Sequence, residues 1–226
     1  TLLALIVAAA LLVPALSPYD YATPAWTEIF TGPSATGGHL FGTDSLGRDL
    51  LVRVMWGCRI SLLVGIAASL ISVVIGVCWG ALAGYAGGRL DGALMRTVDV
   101  LYAVPFIPFV IVLELVFGRN FLMVFIAIGT VSWLDIARIV RGQTLAIREQ
   151  EYIEAARALG VRTTTMLRRH VLPNLIGLVA AYATLAIPGV ILFEALLSFL
   201  GLGVHPPLAS LGSLVLPYPT RSEYLR

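Results

Sequence analysis

The chain has 226 residues, 58% of them apolar even before its 22 glycines are counted, and only 12% charged. With a mean hydropathy of +0.91, this composition excludes a compact water-soluble domain, in which about 25% of residues carry charge. A net charge of +2 gives no footing for nucleic acid, and all fifteen basic residues are arginine, which excludes a lysine-bearing phosphate loop and a lysine Schiff base.

Five stretches reach or approach the about 20 apolar residues that a membrane-crossing helix needs. The first, residues 1–16, reads as a transmembrane helix whose start is missing. The small residues Ala8, Ala9 and Ala10 also admit a cleaved signal peptide, but no basic region precedes them. Residues 17–59 form a loop in which Gly42–Arg53, capped by Asp44 or Ser45, is predicted as a short amphipathic helix. It would either meet a docking protein or simply seal the bundle. The second span, Ile60–Tyr85, carries Ser72, Gly76, Gly80, Gly84 and Gly88 at four-residue spacing, a face that lets another helix approach closely. The third, Val98–Phe117, holds Pro105 and Pro108, which should kink it. The fourth is Phe121–Ala137. The fifth, Leu172–Leu200, should kink at Pro188-Gly189. In residues 201–226 no run is long enough for a further span.

Arginine distribution orients these spans, because short arginine-rich loops stay in the cytoplasm. Seven arginines in Arg138–Arg169 face Glu149, Glu151 and Glu154, and Arg89 and Arg96 face Asp91 in Ala86–Thr97. Residues 17–59 hold three arginines against four acids and fall outside. The cytoplasmic loop, residues 139–171, then reads as two short helices. In the first, Ile153, Ala156 and Leu159 share one face, flanked by Glu151, Glu154 and Arg157. The small pair Ala155-Ala156 leaves it low enough to lie in a partner's groove. Gly160 supplies the left-handed stop, and Thr163 or Thr164 caps the second helix, which carries Arg168 and Arg169 and enters the fifth span at Pro173.

Glu154-Ala155-Ala156, Gly160 and His170-Val171-Leu172-Pro173, at their spacing, resemble the E-A-A-x3-G-x9-I-x-L-P loop of ATP-binding-cassette importer permeases. His170 stands in the isoleucine place, and H-x-L-P-N, ending at Asn174, is similar to the dipeptide, oligopeptide and nickel branch. Phe41–Asp49 with Arg53 and Cys58–Leu62, the stretch Gly87 to Pro105, and Leu197–Pro207 resemble the "C"-type membrane subunit of that branch. The likeness runs from about residue 40 to 212; Ser210-Leu211-Gly212 departs from the usual Ser-Trp-Gly. It implies an all-α type I permease bundle, with five spans visible of an expected six, in a bacterial-type cytoplasmic (inner) membrane. It also implies a second homologous permease, two ATPase subunits that bind ATP and magnesium, and an extracytoplasmic substrate-binding protein. This chain itself would be no enzyme and hold no cofactor. Tyr152 to Gly160 would couple to an ATPase subunit, with His170, Pro173 and Asn174 linking that loop to the fifth span.

Three acids lie in or near spans, where ionisable residues are functional candidates by default. Asp135 is expected to pair locally with Arg138, and Glu114 to reach the outer interface. Glu194, with Pro188 and Pro105, is the candidate for the translocation path, a helix–helix hydrogen bond being its plainer reading. His39, His170 and His205 sit in separate loops without metal-ligand spacing. A proton-coupled secondary transporter using these acids is the alternative function, though the chain is short for the internal repeats it needs. An intramembrane hydrolase lacks any G-x-S-x-G.

Overall fold

The computed structural model describes residues 2–35, 38–118, 121–203 and 208–215. His205 with the double proline, and all but the beginning of the stretch from Leu214 onward, lie outside the described residues. Among the described residues the structure is helical, apart from one isolated antiparallel bridge between Thr43 and Asp49. Helices α1 (Leu2–Leu16), α2 (Leu50–Ala86), α3 (Gly88–Tyr102), α4 (Phe106–Phe117) and α5 (Phe121–Arg148) are followed by α6 (Glu151–Ala158) and α7 (Thr163–Met166). A π-helical turn, Leu167–Val171, then leads into α8 (Leu172–Phe199), and α9 (Leu211–Leu214) follows.

By length and composition, two helices are able to cross a membrane: Leu50–Ala86, and the continuous run Thr163–Phe199. The α3–α4 pair adds a third if it is one span, but it bends by 81°. Five spans were expected; α1 is a shorter apolar helix, and the expected fourth span is the first part of α5, which carries the single charge Asp135 over residues 121–137. The α3–α4 break falls at Ala103–Pro105. Pro108 causes none, because it sits in the first turn of α4, where no intrahelical bond needs its missing N–H. α8 runs without a break through Pro188.

The chain divides into two compact units. One comprises the described residues of Gly65–Val116 and Phe125–Val190. Here α2 and α5 touch along the glycine row. A Cβ at Gly76 would fall 2.7 Å from the Ile136 side chain, one at Gly84 2.7 Å from the Arg141 carbonyl oxygen, and one at Gly80 onto the Ala137 carbonyl oxygen. Gly88 is not part of this face: its φ is 56° and nothing crowds it, so it serves the α2–α3 turn. α3 is fastened to α5 by the two-pronged Arg141–Asp91 pair (2.5 and 2.7 Å) and by Arg138–Asp99 at 3.0 Å. Trp79 Nε1 donates to the Leu94 carbonyl at 3.1 Å, tying α3 to α2. Arg138 thus pairs across helices, and its expected local partner, Asp135, is exposed. Glu114 does not reach an interface; it is buried.

The other unit comprises the described residues of Thr1–Val64, Phe117–Val124 and Ile191–Arg226. Its loop does not form the helix expected over Gly42–Arg53. Asp44 folds the chain back instead, its Oδ1 accepting from the N–H groups of Leu46 (2.8 Å) and Arg48 (3.0 Å). Gly42 and Gly47 take φ values of 77° and 74° there. The helix starts only at α2, where Asp49 Oδ1 accepts from the Val52 N–H at 2.9 Å in N-cap fashion. His39, 3% exposed, places one ring nitrogen 2.8 Å from Asp49 and the other 3.0 Å from Glu28.

Candidate coupling site

α6 begins after Gln150, whose extended backbone turns the chain out of α5. Glu151 and Glu154 in the first turn, and Arg157 in the last, suit the helix dipole. The helix ends in two crossed bonds: Val161 N–H donates to the Ala156 carbonyl (3.2 Å) and Gly160 N–H to the Arg157 carbonyl (3.0 Å). This is a Schellman stop, and its left-handed residue is Gly160 at φ 78°. Val161 packs back on the cluster that Ala156 also touches, closing the corner.

The three apolar residues expected on one docking face have separate fates. Ile153 is fully buried in the chain's own core, in a cluster with Tyr85, Ile147, Met166, Val171 and Leu175. Ala156 is half-buried against that cluster, and Leu159 is 85% exposed. A short amphipathic helix needs a foothold on its own bundle before it can present anything; Ile153 is that foothold. Tyr152, Glu154, Ala155, Arg157, Leu159 and Gly160 stay on the open side, and the Arg157 guanidinium lies 5.6 Å from the Tyr85 ring centre.

The second arm starts at Arg162 in extended conformation, and neither threonine caps it: Thr163 and Thr164 lie within the first turn of α7. The run widens to the π turn Leu167–Val171 just before Pro173, which has no N–H to offer the preceding turn. Asn174 Nδ2 donates to the His170 carbonyl at 2.6 Å and to the Tyr152 hydroxyl at 3.2 Å. The Tyr152 and His170 rings stand 6.4 Å apart. Tyr152, His170 and Asn174 therefore bridge α6 to the start of α8. Each was a candidate by sequence, but the bridge was not visible there, since 22 residues separate Tyr152 from Asn174.

The residues assigned to a path behave differently. Glu194 is fully buried; its oxygens accept from Ser61 Oγ (2.8 Å) and Ser198 Oγ (2.6 Å). That is the helix–helix bond of the plainer reading. Pro188 is exposed on α8, and Pro105 marks the α3–α4 bend. Among the described residues no group of three His, Cys, Asp or Glu is placed to hold a metal ion.

An all-α membrane bundle that projects a glycine-cornered helix from its own core defines a permease of the type I importer class. Residues 76–216 match the family described as "Binding-protein-dependent transport system inner membrane component", and the chain belongs to that family. It is 49% identical to the oligopeptide transport system permease protein OppC of Haemophilus influenzae, over 95% of this chain and 69% of that protein. It is 51% identical to OppC of Escherichia coli K12, over 94% and 70%. The dipeptide transport system permease protein DppC of Bacillus subtilis is 44% identical over 88% of this chain and 62% of its own length. Two solved chains of the MetNI methionine ABC transporter, in inward-facing conformations, share the fold. Their TM-scores are 0.61 and 0.58 at 21% and 20% identity, covering 72% and 70% of this chain and 78% and 76% of theirs.

Proposed function

We propose that this chain is the "C"-type permease subunit of an ATP-driven importer of oligopeptides or dipeptides, and that α6 is its connection to a cytoplasmic ATPase subunit. The cargo rests on relatives named for oligopeptide and dipeptide transport. The proton-coupled alternative finds no support in any of them. The observation that carries the coupling reading is the division of α6: Ile153 is locked inside while Leu159 stands 85% exposed beside the Gly160 corner. An apolar side chain held out on a rigid corner fits the groove of a partner.

In this reading two ATPase subunits bind ATP and magnesium, and a second homologous permease completes the path. An extracytoplasmic binding protein delivers cargo. Closure of the ATPase pair moves α6 as a lever, Gly160 fixes the angle to the second arm, and the Tyr152–Asn174–His170 bridge carries the motion into α8. The sequence holds no lysine for a phosphate-binding loop, and in this reading the motor sits on the partner subunits.

The test is co-purification of ATPase subunits with the full-length permease. Leu159→Asp should lose the ATPase while the permease still inserts in the membrane. Gly160→Val forces a β-branched residue to φ 78° and should leave ATP hydrolysis running with cargo uptake lost. Retained ATPase binding in Leu159→Asp, together with normal uptake in Gly160→Val, would refute the assignment.

A further inference from the structure

We propose that α3 lies along the inner surface of the membrane and holds the headgroups of anionic phospholipids at Arg89 and Arg96. This rests on the family's placement of the chain in a membrane and on the inward orientation of arginine-rich short loops, and is independent of cargo.

Three sides of α3 can be told apart. One is pinned inside the unit: Asp91 and Val98 are buried, and Asp91 is paired with Arg141. A second side is apolar and open, with Leu90 50% and Val100 60% exposed and Ala93 and Thr97 between them. Along the far edge of that open strip stand Arg89 and Arg96, seven residues apart and so on one side of the helix. Both are exposed, and neither forms an ion pair among the described residues, although α3 supplies acids to two arginines of α5.

An apolar strip bordered by unneutralised cations is the pattern of a helix lying in a membrane interface, hydrocarbon under the strip and phosphate at the cations. A water-soluble acidic partner would satisfy the arginines and leave Leu90 and Val100 in water. The bend supplies the direction. Apart from Glu114, which is buried, α4 is apolar, with Ile111 and Leu115 open to the outside, as befits a helix running into hydrocarbon. The 81° turn at Ala103–Pro105 sets α3 crosswise to it. The pairs Arg141–Asp91 and Arg138–Asp99 hold α3 in that attitude, so the arginines are presented without further ordering. Guanidinium groups make two-pronged bonds to phosphate oxygens.

Each arginine close to an anionic membrane surface strengthens binding about five-fold, the pair about thirty-fold. The full-length permease, purified in detergent with the subunits it retains, is titrated with phosphatidylglycerol and the bound lipid read by native mass spectrometry. The double substitution Arg89→Gln and Arg96→Gln should raise the half-saturating lipid concentration by about that thirty-fold, with phosphatidylcholine binding unchanged. An unchanged titration would overturn the proposal. A second measurement needs no loss of charge: Val100→Cys, in a chain with Cys58 and Cys78 replaced by alanine, carries a nitroxide in phosphatidylglycerol vesicles. Relaxation by oxygen should exceed relaxation by a water-soluble nickel chelate. The reverse order places α3 in water, and shielding from both places it against another protein chain; either result overturns the proposal.

Discussion

Glu194 makes its contacts through a small hydroxyl network rather than through a countercharge. Ser61 and Ser198 donate to its two oxygens, Ser210 Oγ donates to Ser198 Oγ at 3.0 Å, and the Leu211 N–H donates to Ser61 Oγ at 3.2 Å. The network fastens residues 210–211 to α2 and α8 within one unit. Hydrogen bonds between membrane helices are worth about 0.6 kcal/mol on average and about 1.7 at most. Ser61→Ala should therefore lower thermal stability in detergent modestly, and Glu194→Leu more, because it removes the acceptor of two buried O–H donors. If Glu194→Leu abolishes uptake with no change in stability, the residue serves the path after all. Gly80 makes the opposite kind of case, since space and not polarity decides it. A methyl there meets the Ala137 backbone, which cannot rotate away as a side chain would. Gly80→Ala should cost about 1–3 kcal/mol, as overpacking does. Gly88→Ala at the end of the same row meets no atom, and its smaller cost comes from the positive φ alone.

The loop before α2 is an element held together by ionisable groups. Each nitrogen of the buried His39 ring faces a carboxylate, Asp49 on one side and the half-exposed Glu28 on the other. Both contacts are hydrogen bonds at once only when the ring carries two protons. Accordingly the hydrogen bond to Asp49, and then that to Glu28, hold the His39 pKa above its ordinary 6.5 against the opposing effect of burial. A raised value in the folded chain means the contribution to stability is complete below about pH 6.5 and is lost as pH rises through the folded value. Asp44 and Arg48 of this loop, and Arg53 in the first turn of α2, are also buried, with both arginines near the Asp44 carboxylate. Thermal unfolding of the wild type should weaken from about pH 6 to about pH 9, and His39→Gln should remove most of that difference. Equal pH dependence in both would show that His39 does not carry the charge. This loop was also the element least legible in the sequence. Asp44, Ser45 and Asp49 are all helix-capping residue types, and spacing alone does not say which one starts the helix. The tertiary contacts of Ala25 with Leu46 and Gly47, more than 20 positions away, decide it. The α6 corner was legible for the opposite reason: its capping bonds span five residues at most, and only glycine takes its conformation at no cost.

At the scale of the whole molecule, the glycine row and the coupling loop both came from local pattern, whereas the ion pairs of α3 did not. Arg138 had an acid three residues away and chose one 39 residues away, because Asp99 lies on the facing helix and Asp135 points outward. The same logic separates holding from docking in α6. Ile153 is buried against α2, α5 and α8 residues of its own unit, while Leu159 touches solvent, so the two substitutions act on different steps. Ile153→Ala removes a fully buried side chain and should cost about 2–5 kcal/mol where the site cannot collapse. Because Leu159 and Gly160 remain in place, the ATPase should still bind. The lever then pivots on a loosened seat, so hydrolysis should persist while cargo moved per ATP falls. Leu159→Ala leaves the seat intact and should weaken ATPase binding itself, lowering hydrolysis and uptake in proportion. Side-by-side assays of bound ATPase, hydrolysis and uptake in proteoliposomes distinguish the two: a lower ratio of uptake to hydrolysis in Ile153→Ala alone is the expected outcome. The same ratio in both variants would mean that α6 transmits no force through its buried side.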